Sequence, residues 1–331
     1  MAKITIIGAG SWGLALGLLL NEKNNEVTLW CHKQEERDYL LTYRENKRCL
    51  PAIKIPFDIQ ITSDLEEAVT DKDVIVIAIP STVIRSVMKQ IKPYLNEKTI
   101  IVNVAKGIEN ETLLTLSKVI SQEVNNDVVI LSGPSHAEEV ARHMPTTVVV
   151  SSANMDSAII VQDLFMTDYF RVYTNPDLIG VEIGGALKNV IAIAAGAIDG
   201  LGYGDNTKAA LMTRGIAEIS RLGVAMGGDI STLSGLAGFG DLIVTCTSGH
   251  SRNRRVGELI AQGMELDVAM KKINMVVEGV QTAKASYHLS KQYDIEMPII
   301  EGIYYGLFEG ASVRDVIEQL MTRDKKMEGI K

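Results

Sequence analysis

Ten residues constrain the fold of this chain more than any others: Ile4-Thr5-Ile6-Ile7-Gly8-Ala9-Gly10-Ser11-Trp12-Gly13. A short β-branched run meets the pattern G-x-G-x-x-G, and a leucine- and alanine-rich segment (Leu14, Ala15, Leu16, Leu18, Leu19, Leu20) follows at once. Strand, glycine turn and helix in that order make up a dinucleotide-binding βαβ unit. Gly8 permits the tight turn, Gly10 lets backbone approach a pyrophosphate, and Gly13 lets the helix pack close to the strand. The helix start then offers N–H groups and partial positive charge to phosphates.

The 331 residues suffice for two domains with a packed core. Apolar residues make up 46% and charged residues 22%, a globular balance. A net charge of −8 argues against general nucleic-acid binding, so an anionic ligand needs local positive groups. No apolar run is expected to reach membrane-spanning length. The first strand begins too early for a signal peptide. Cys31, Cys49 and Cys246 lie apart, without metal-ligand spacing, and read as buried or reduced thiols of a cytoplasmic protein. No metal is expected.

Strand-like runs recur through the first half: Glu26–Trp30, Asp73–Pro80, Thr99–Val104, Asp127–Ser132, Thr146–Ser151 and Phe170–Tyr173. Several are continuously apolar, as parallel strands buried on both faces are. Ser81–Tyr94 reads as a helix among them. Beyond about Asn175 the β-rich texture fades, and Ile179–Leu201, Thr207–Met226, Arg252–Gln262, Gly279–Tyr293, Ile299–Glu309 and Val313–Met321 read as helices. The expectation is an α/β protein: a doubly wound sheet over residues 1–177, then a mostly helical domain over 178–331 that binds substrate and carries the catalysis.

The second strand ends at Trp30-Cys31-His32-Lys33, where an NAD-preferring site usually has a carboxylate. A basic residue there suits the 2′-phosphate of NADP, although Glu35 and Glu36 follow closely. NADP is therefore the expected cofactor, with NAD also accepted. A solvated surface lysine is the competing reading of Lys33.

Five further places carry chemistry. Lys106 closes a strand, where ligand crevices lie. Gly133-Pro134-Ser135-His136-Ala137-Glu138-Glu139 reads as a strand end passing into a helix start. Lys188 stands in an apolar helical run, where desolvation favours its neutral form and suits it to proton transfer. Asp241 lies between glycines and an apolar run; it could orient Lys188, with Thr245 one helical turn on, or serve as an N-cap. Ser251 reads as the N-cap of a helix that opens with Arg252, Asn253, Arg254 and Arg255, an arrangement suited to phosphate. Ordinary surface charge is the plain alternative for the lysines and arginines. The five histidines show no triad or metal spacing.

Taken in order, these segments resemble the bacterial NAD(P)-dependent glycerol-3-phosphate dehydrogenases. The match runs from Ile4 to about Asp324 and includes Ala105-Lys106-Gly107, Gly184-Gly185-Ala186-Leu187-Lys188-Asn189, Gly238-Phe239-Gly240-Asp241-Leu242, Ser251-Arg252-Asn253 and Val277-Glu278-Gly279-Val280. The resemblance implies a Rossmann-type N-terminal domain. It implies interconversion of dihydroxyacetone phosphate and sn-glycerol 3-phosphate, which supplies phospholipid synthesis. It also implies that Lys188 is the proton donor or acceptor, supported by Lys106 and Asp241. Gly133, Ser135, Ser251, Arg252 and Asn253 would then line the substrate site. Gly8, Gly10, Ser11, Trp12, Gly13, His32, Lys33, Lys106, Ala137, Arg252, Val276 and Glu278 would meet the cofactor. The position of Lys33 matches less uniformly across that family. A homodimer is compatible with the resemblance.

Two other readings compete. One is a β-hydroxyacid-type dehydrogenase acting on a small hydroxyacid; Asp241 and Ser251-Arg252-Asn253 weigh against it. The other is a non-catalytic NADP sensor, which would have no need of Lys188 or Asp241.

Overall fold

The computed structural model describes residues 1–325, 327 and 328. Eight strands form: β1 (Lys3–Ile7), β2 (Glu26–Trp30), β3 (Gln60–Thr62), β4 (Val74–Ile77), β5 (Ile100–Asn103), β6 (Val128–Ser132), β7 (Thr146–Ser152) and β8 (Phe170–Asn175). They make one sheet in the order β3-β2-β1-β4-β5-β6-β7-β8. Every neighbouring pair is parallel except β6 and β7. Strand β4, Val74-Ile75-Val76-Ile77, is buried at all four residues, as β-branched strands covered on both faces are. The chain runs outward from β1 to β2 and β3, then returns to place β4 on the other side of β1. That reversal is a topological switch point, and the glycine turn lies at its carboxyl end.

Two compact units divide the chain: residues 1–105 with 116–178, and residues 106–115 with those from Ile179 onward. The boundary falls beside the expected cut after residue 177, with the segment 106–115 grouping by contact with the second unit. Residues 106–115 group with the second unit because Ile108 is buried in its core and Lys106 pairs with Asp241.

The second unit is helical, with its main helices at Leu178–Gly200, Asp205–Ala225, Asp241–Thr247, Arg252–Ala261, Glu278–Gln292, Pro298–Phe308 and Val313–Met321. Leu178–Gly200 is its central helix: Ile183, Ala186, Leu187, Val190, Ile191 and Ala195 are fully buried. A hydrophobic surround of that kind accounts for its length and corrects an expectation. By length and composition alone Leu178–Gly200 could cross a membrane, and 83% of its most apolar window is buried inside the protein. Ile230–Thr247 passes the same test with 44% buried. Short elements that the sequence patterns did not announce also form, among them β3 and the helices Leu65–Val69 and Leu266–Ile273.

Candidate active site

In the first unit the site is made of backbone. Gly8 adopts φ +113°, and a Cβ there would stand 2.5 Å from the carbonyl oxygen of Ala78, so no other residue turns the chain at this point without strain. Its N–H donates to the carbonyl of Trp30 at 3.1 Å, fixing the turn to β2. Gly10 differs: a Cβ there would meet nothing within 4 Å. Internal packing does not require glycine at residue 10, and the space beside it is open. Helix Ser11–Glu22 starts immediately after, with no side-chain cap and no acidic residue in its first turn. An anion is favoured at such a helix start. A dinucleotide pyrophosphate fits this cradle.

Buried Asn46 steadies the turn, donating to the carbonyl of Ala9 at 3.1 Å and accepting from the N–H of Cys49. Sequence reasoning missed Asn46 because nothing in its neighbourhood marks a contact 37 residues away. Beyond β2, His32 is exposed and stands edge-on to Trp30, with ring centroids 5.8 Å apart. Lys33 precedes helix Gln34–Tyr43. Glu36 in that helix faces Arg48 at 3.9 Å, so one of the two nearby carboxylates has a cation of its own.

Three other expected site residues belong to the first unit. Gly133 takes φ +135° after β6, and the Ser135 hydroxyl donates to its carbonyl at 3.0 Å. The helix start expected here is slight: only Ala137–Val140 is helical, and Pro134 lies outside its first turn. The segment between β6 and β7 reverses the chain, and the two strands pair antiparallel.

In the second unit the site is made of side chains. Lys106, Lys188 and Asp241 meet, although 135 and 53 residues separate the two lysines from the aspartate. Lys106 Nζ donates to Asp241 Oδ2 at 2.5 Å and Lys188 Nζ to Asp241 Oδ1 at 3.0 Å. Lys188 Nζ also donates to Thr245 Oγ1 at 2.6 Å, and that hydroxyl donates to the carbonyl of Asp241 at 2.7 Å. The aspartate is not an N-cap: Gly240 holds that place, and Asp241 is the first helical residue with its carboxylate turned to the two lysines.

Close backbone packing explains the meeting. A Cβ at Gly184 would come within 2.9 Å of Gly238 Cα, so the Lys188 helix touches the π-helical turn Leu236–Gly240. Lys188 lies one helical turn beyond Gly184 on the same face. Asp241 lies three residues beyond Gly238. Short π segments of this kind frequently occur at functional sites.

Burial sets the protonation of the cluster. Taking Lys188 out of water lowers its pKa to about 8; Asp241 opposes the shift and Lys106 adds to it. Burial alone would raise the Asp241 carboxyl, but the two ammonium groups outweigh it and hold the group below its ordinary value. The result is a buried carboxylate bearing two cations, one of which can give up its proton near neutral pH.

The Arg252 helix completes the second unit's site. Ser251 caps it, its Oγ accepting from the N–H of Arg254 at 3.2 Å. Arg252 Nη1 donates to the carbonyl of Val276 at 2.9 Å, which brings two expected cofactor contacts together. Asn253 Nδ2 donates to Asn189 Oδ1 at 2.9 Å, and Asn253 Oδ1 accepts from the N–H of Gly279, next to Glu278. Asn189 adjoins Lys188 in the shared motif, and the sequence alone marks no separate role for it. The three arginines do not act alike: Arg254 is bound to Asp199 at 2.6 Å, which removes it from the expected phosphate cluster.

An open, mostly parallel sheet with this strand order and glycine turn defines a dinucleotide-binding α/β class. Comparison with known proteins narrows it. The family models described as NAD-dependent glycerol-3-phosphate dehydrogenase N-terminus and C-terminus match residues 3–158 and 177–318. A glycerol-3-phosphate dehydrogenase (NAD(P)+) of Fusobacterium nucleatum is 54% identical over 331 residues, covering 99% of both chains. One from Bacillus subtilis is 54% identical over 332 residues, covering 99% of this chain and 96% of its own. A crystal structure of glycerol-3-phosphate dehydrogenase from Coxiella burnetii superposes with TM-score 0.94 at 36% identity, covering 97% of this chain and 99% of that one. The chain belongs to the NAD-dependent glycerol-3-phosphate dehydrogenase family. A ketopantoate reductase from Ralstonia eutropha, 15% identical with TM-score 0.61, shares the fold alone.

Proposed function

We propose that this chain is an NAD(P)-dependent oxidoreductase that interconverts dihydroxyacetone phosphate and sn-glycerol 3-phosphate, with Lys188 moving the proton. One observation carries the reading: Lys188 and Lys106 share the buried carboxylate of Asp241, with the Lys188 pKa brought to about 8. Full-length similarity to enzymes of that name supports the substrate over a hydroxyacid.

The nicotinamide, when bound, supplies hydride to the C2 carbon of the ketone or takes it back. As hydride arrives, negative charge grows on the C2 oxygen. Lys188 Nζ donates a proton to that oxygen, and Lys106 stabilises the charge with a second fixed cation. Asp241 and Thr245 hold the ammonium of Lys188 in place. In the reverse direction neutral Lys188 accepts the proton from the alcohol. Arg252, Asn253 and the N–H groups of the Ser251-capped helix bind the phosphate, whose binding energy positions the carbonyl. Gly133 and Ser135 complete the substrate site.

Gly8, Gly10, Ser11, Trp12 and Gly13 would hold the dinucleotide, with His32, Lys33, Lys106, Ala137, Arg252, Val276 and Glu278 as its further contacts. The absence of a carboxylate directly after Trp30 supports a preference for NADP. Residues 1–177 and 178–331 then divide the work between cofactor and substrate, apart from the 106–115 segment. Product destined for phospholipid synthesis, a homodimer and a cytoplasmic place accompany this reading.

The test is oxidation of NADPH and of NADH by the purified chain, with dihydroxyacetone phosphate beside unphosphorylated dihydroxyacetone. Fast turnover of the phosphate alone is expected, quicker with NADPH. Equal rates on both ketones would remove the phosphate site, and no turnover on either would remove the reaction.

A further inference from the structure

One half-buried charge cluster in the second unit has no part in the chemistry described above. Asp199, near the end of the Lys188 helix, accepts from Arg254 Nε at 2.6 Å through Oδ2 and from Lys208 Nζ at 2.5 Å through Oδ1. All three side chains are at most one-fifth exposed. Arg254 is three residues beyond the cap Ser251 and adjoins Asn253.

The same two helices touch backbone to backbone. A Cβ on Gly196 would lie 1.7 Å from the carbonyl oxygen of Arg254, and one on Gly257 would lie 1.8 Å from that of Ile193. Where backbones meet this closely, a small rotation of one helix displaces every group on its first turn. The Asn253–Asn189 hydrogen bond and the Arg254–Asp199 pair tie two adjacent residues of that first turn to separate points on the Lys188 helix. Their separation along the Lys188 helix is ten residues, about 15 Å of helix. Two anchors so far apart fix an angle as well as a distance.

We propose that Arg254, held by Asp199 with Lys208 on the other carboxylate oxygen, is a positioning residue that orients the phosphate-binding first turn against Lys188 and so sets the preference for a phosphorylated ketone. The inference rests on the phosphate role of Ser251, Arg252 and Asn253 proposed above. Arg254 itself does not touch the substrate. Asp199 answers two cations, so its loss leaves Arg254 and Lys208 repelling each other at the helix contact.

The test compares wild type with Asp199→Asn, Arg254→Gln and the double variant, on dihydroxyacetone phosphate and on dihydroxyacetone, with NADPH as reductant. Because misplacement by about an ångström can cost about a hundredfold, KM for the phosphate is expected to rise about tenfold or more in either variant. Turnover of dihydroxyacetone should remain within about twofold, since it does not use the phosphate anchor. The double variant should be no worse than the worse single one, because the two residues act as a unit. Arg254→Lys, which keeps the charge and loses the planar fork, should recover part of the loss. An unchanged KM for the phosphate in both single variants would overturn the proposal, as would equal losses on the two ketones, the mark of general damage to the fold. If the wild type shows no preference for the phosphorylated ketone, the functional reading fails and this inference falls with it.

Discussion

The two units build their sites from different materials. In the first, the proposed site is contiguous backbone: Gly8 makes the turn, Gly10 leaves space, and the helix beginning at Ser11 presents its N-terminus. In the second, the proposed site consists of side chains from remote segments, with Lys106, Lys188 and Asp241 brought together by helix packing. A backbone site is damaged by adding atoms and a side-chain site by removing them. The two also differ in what damage reports: the first in cofactor affinity, the second in chemical rate.

That contrast can be broken by experiment, beginning with the largest effect. Lys188→Ala should lower kcat by about a thousandfold, in the range of a lost general acid, while the Kd for NADPH measured by fluorescence stays the same. A variant keeping more than a tenth of the wild-type rate would take Lys188 out of its role. Gly10→Ala sharpens the other side: its Cβ meets no protein atom, so Tm should hold while NADPH binding weakens about tenfold. Unaltered affinity would mean that no phosphate approaches residue 10. Gly8→Ala should instead destabilise the fold, by roughly 1–3 kcal/mol from the φ > 0 strain, as urea unfolding would register.

The smallest effect concerns stability alone. Glu218 is buried and takes the N–H groups of Ile299 and Ile300 at 2.9 and 3.2 Å, capping helix Pro298–Phe308 from a neighbouring helix. Burial raises its pKa to about 7, against the two N–H bonds and Arg221, which pull it down. The folded chain therefore holds this proton where the unfolded chain has lost it. The stabilisation it brings is complete below the ordinary carboxyl pKa and is lost as pH rises through about 7. Glu218→Gln should flatten the fall in Tm between pH 5 and 7; an identical slope would mean that other groups cause it.

The same contrast decides what could be read from sequence. Gly8, Gly10 and Gly13 announce a turn because the whole device fits within six residues. Strand β2 and helix Val313–Met321 were legible for a similar reason, since local pattern sets their ends. Lys188 stood out as a charge in an apolar run, and Asp241 as a carboxylate between glycines. Their meeting depends on Gly184 lying against Gly238, a contact that no local period encodes. Arg254 looked like Arg252 until Asp199, 55 residues away, proved to hold it. The grouping of residues 106–115 is not legible locally, because a strand end gives no sign that Ile108 buries its side chain in the helical core.

The most direct measurement of the central claim is the pH dependence of kcat/KM in both directions for the unaltered chain. With a Lys188 pKa of about 8, ketone reduction needs the ammonium and should fall as pH rises through about 8, while alcohol oxidation needs the neutral amine and should rise over the same interval. Mirror-image limbs with a common midpoint would establish Lys188 as the group that moves the proton. Limbs that run in the same sense, or flat profiles through pH 8, would contradict it.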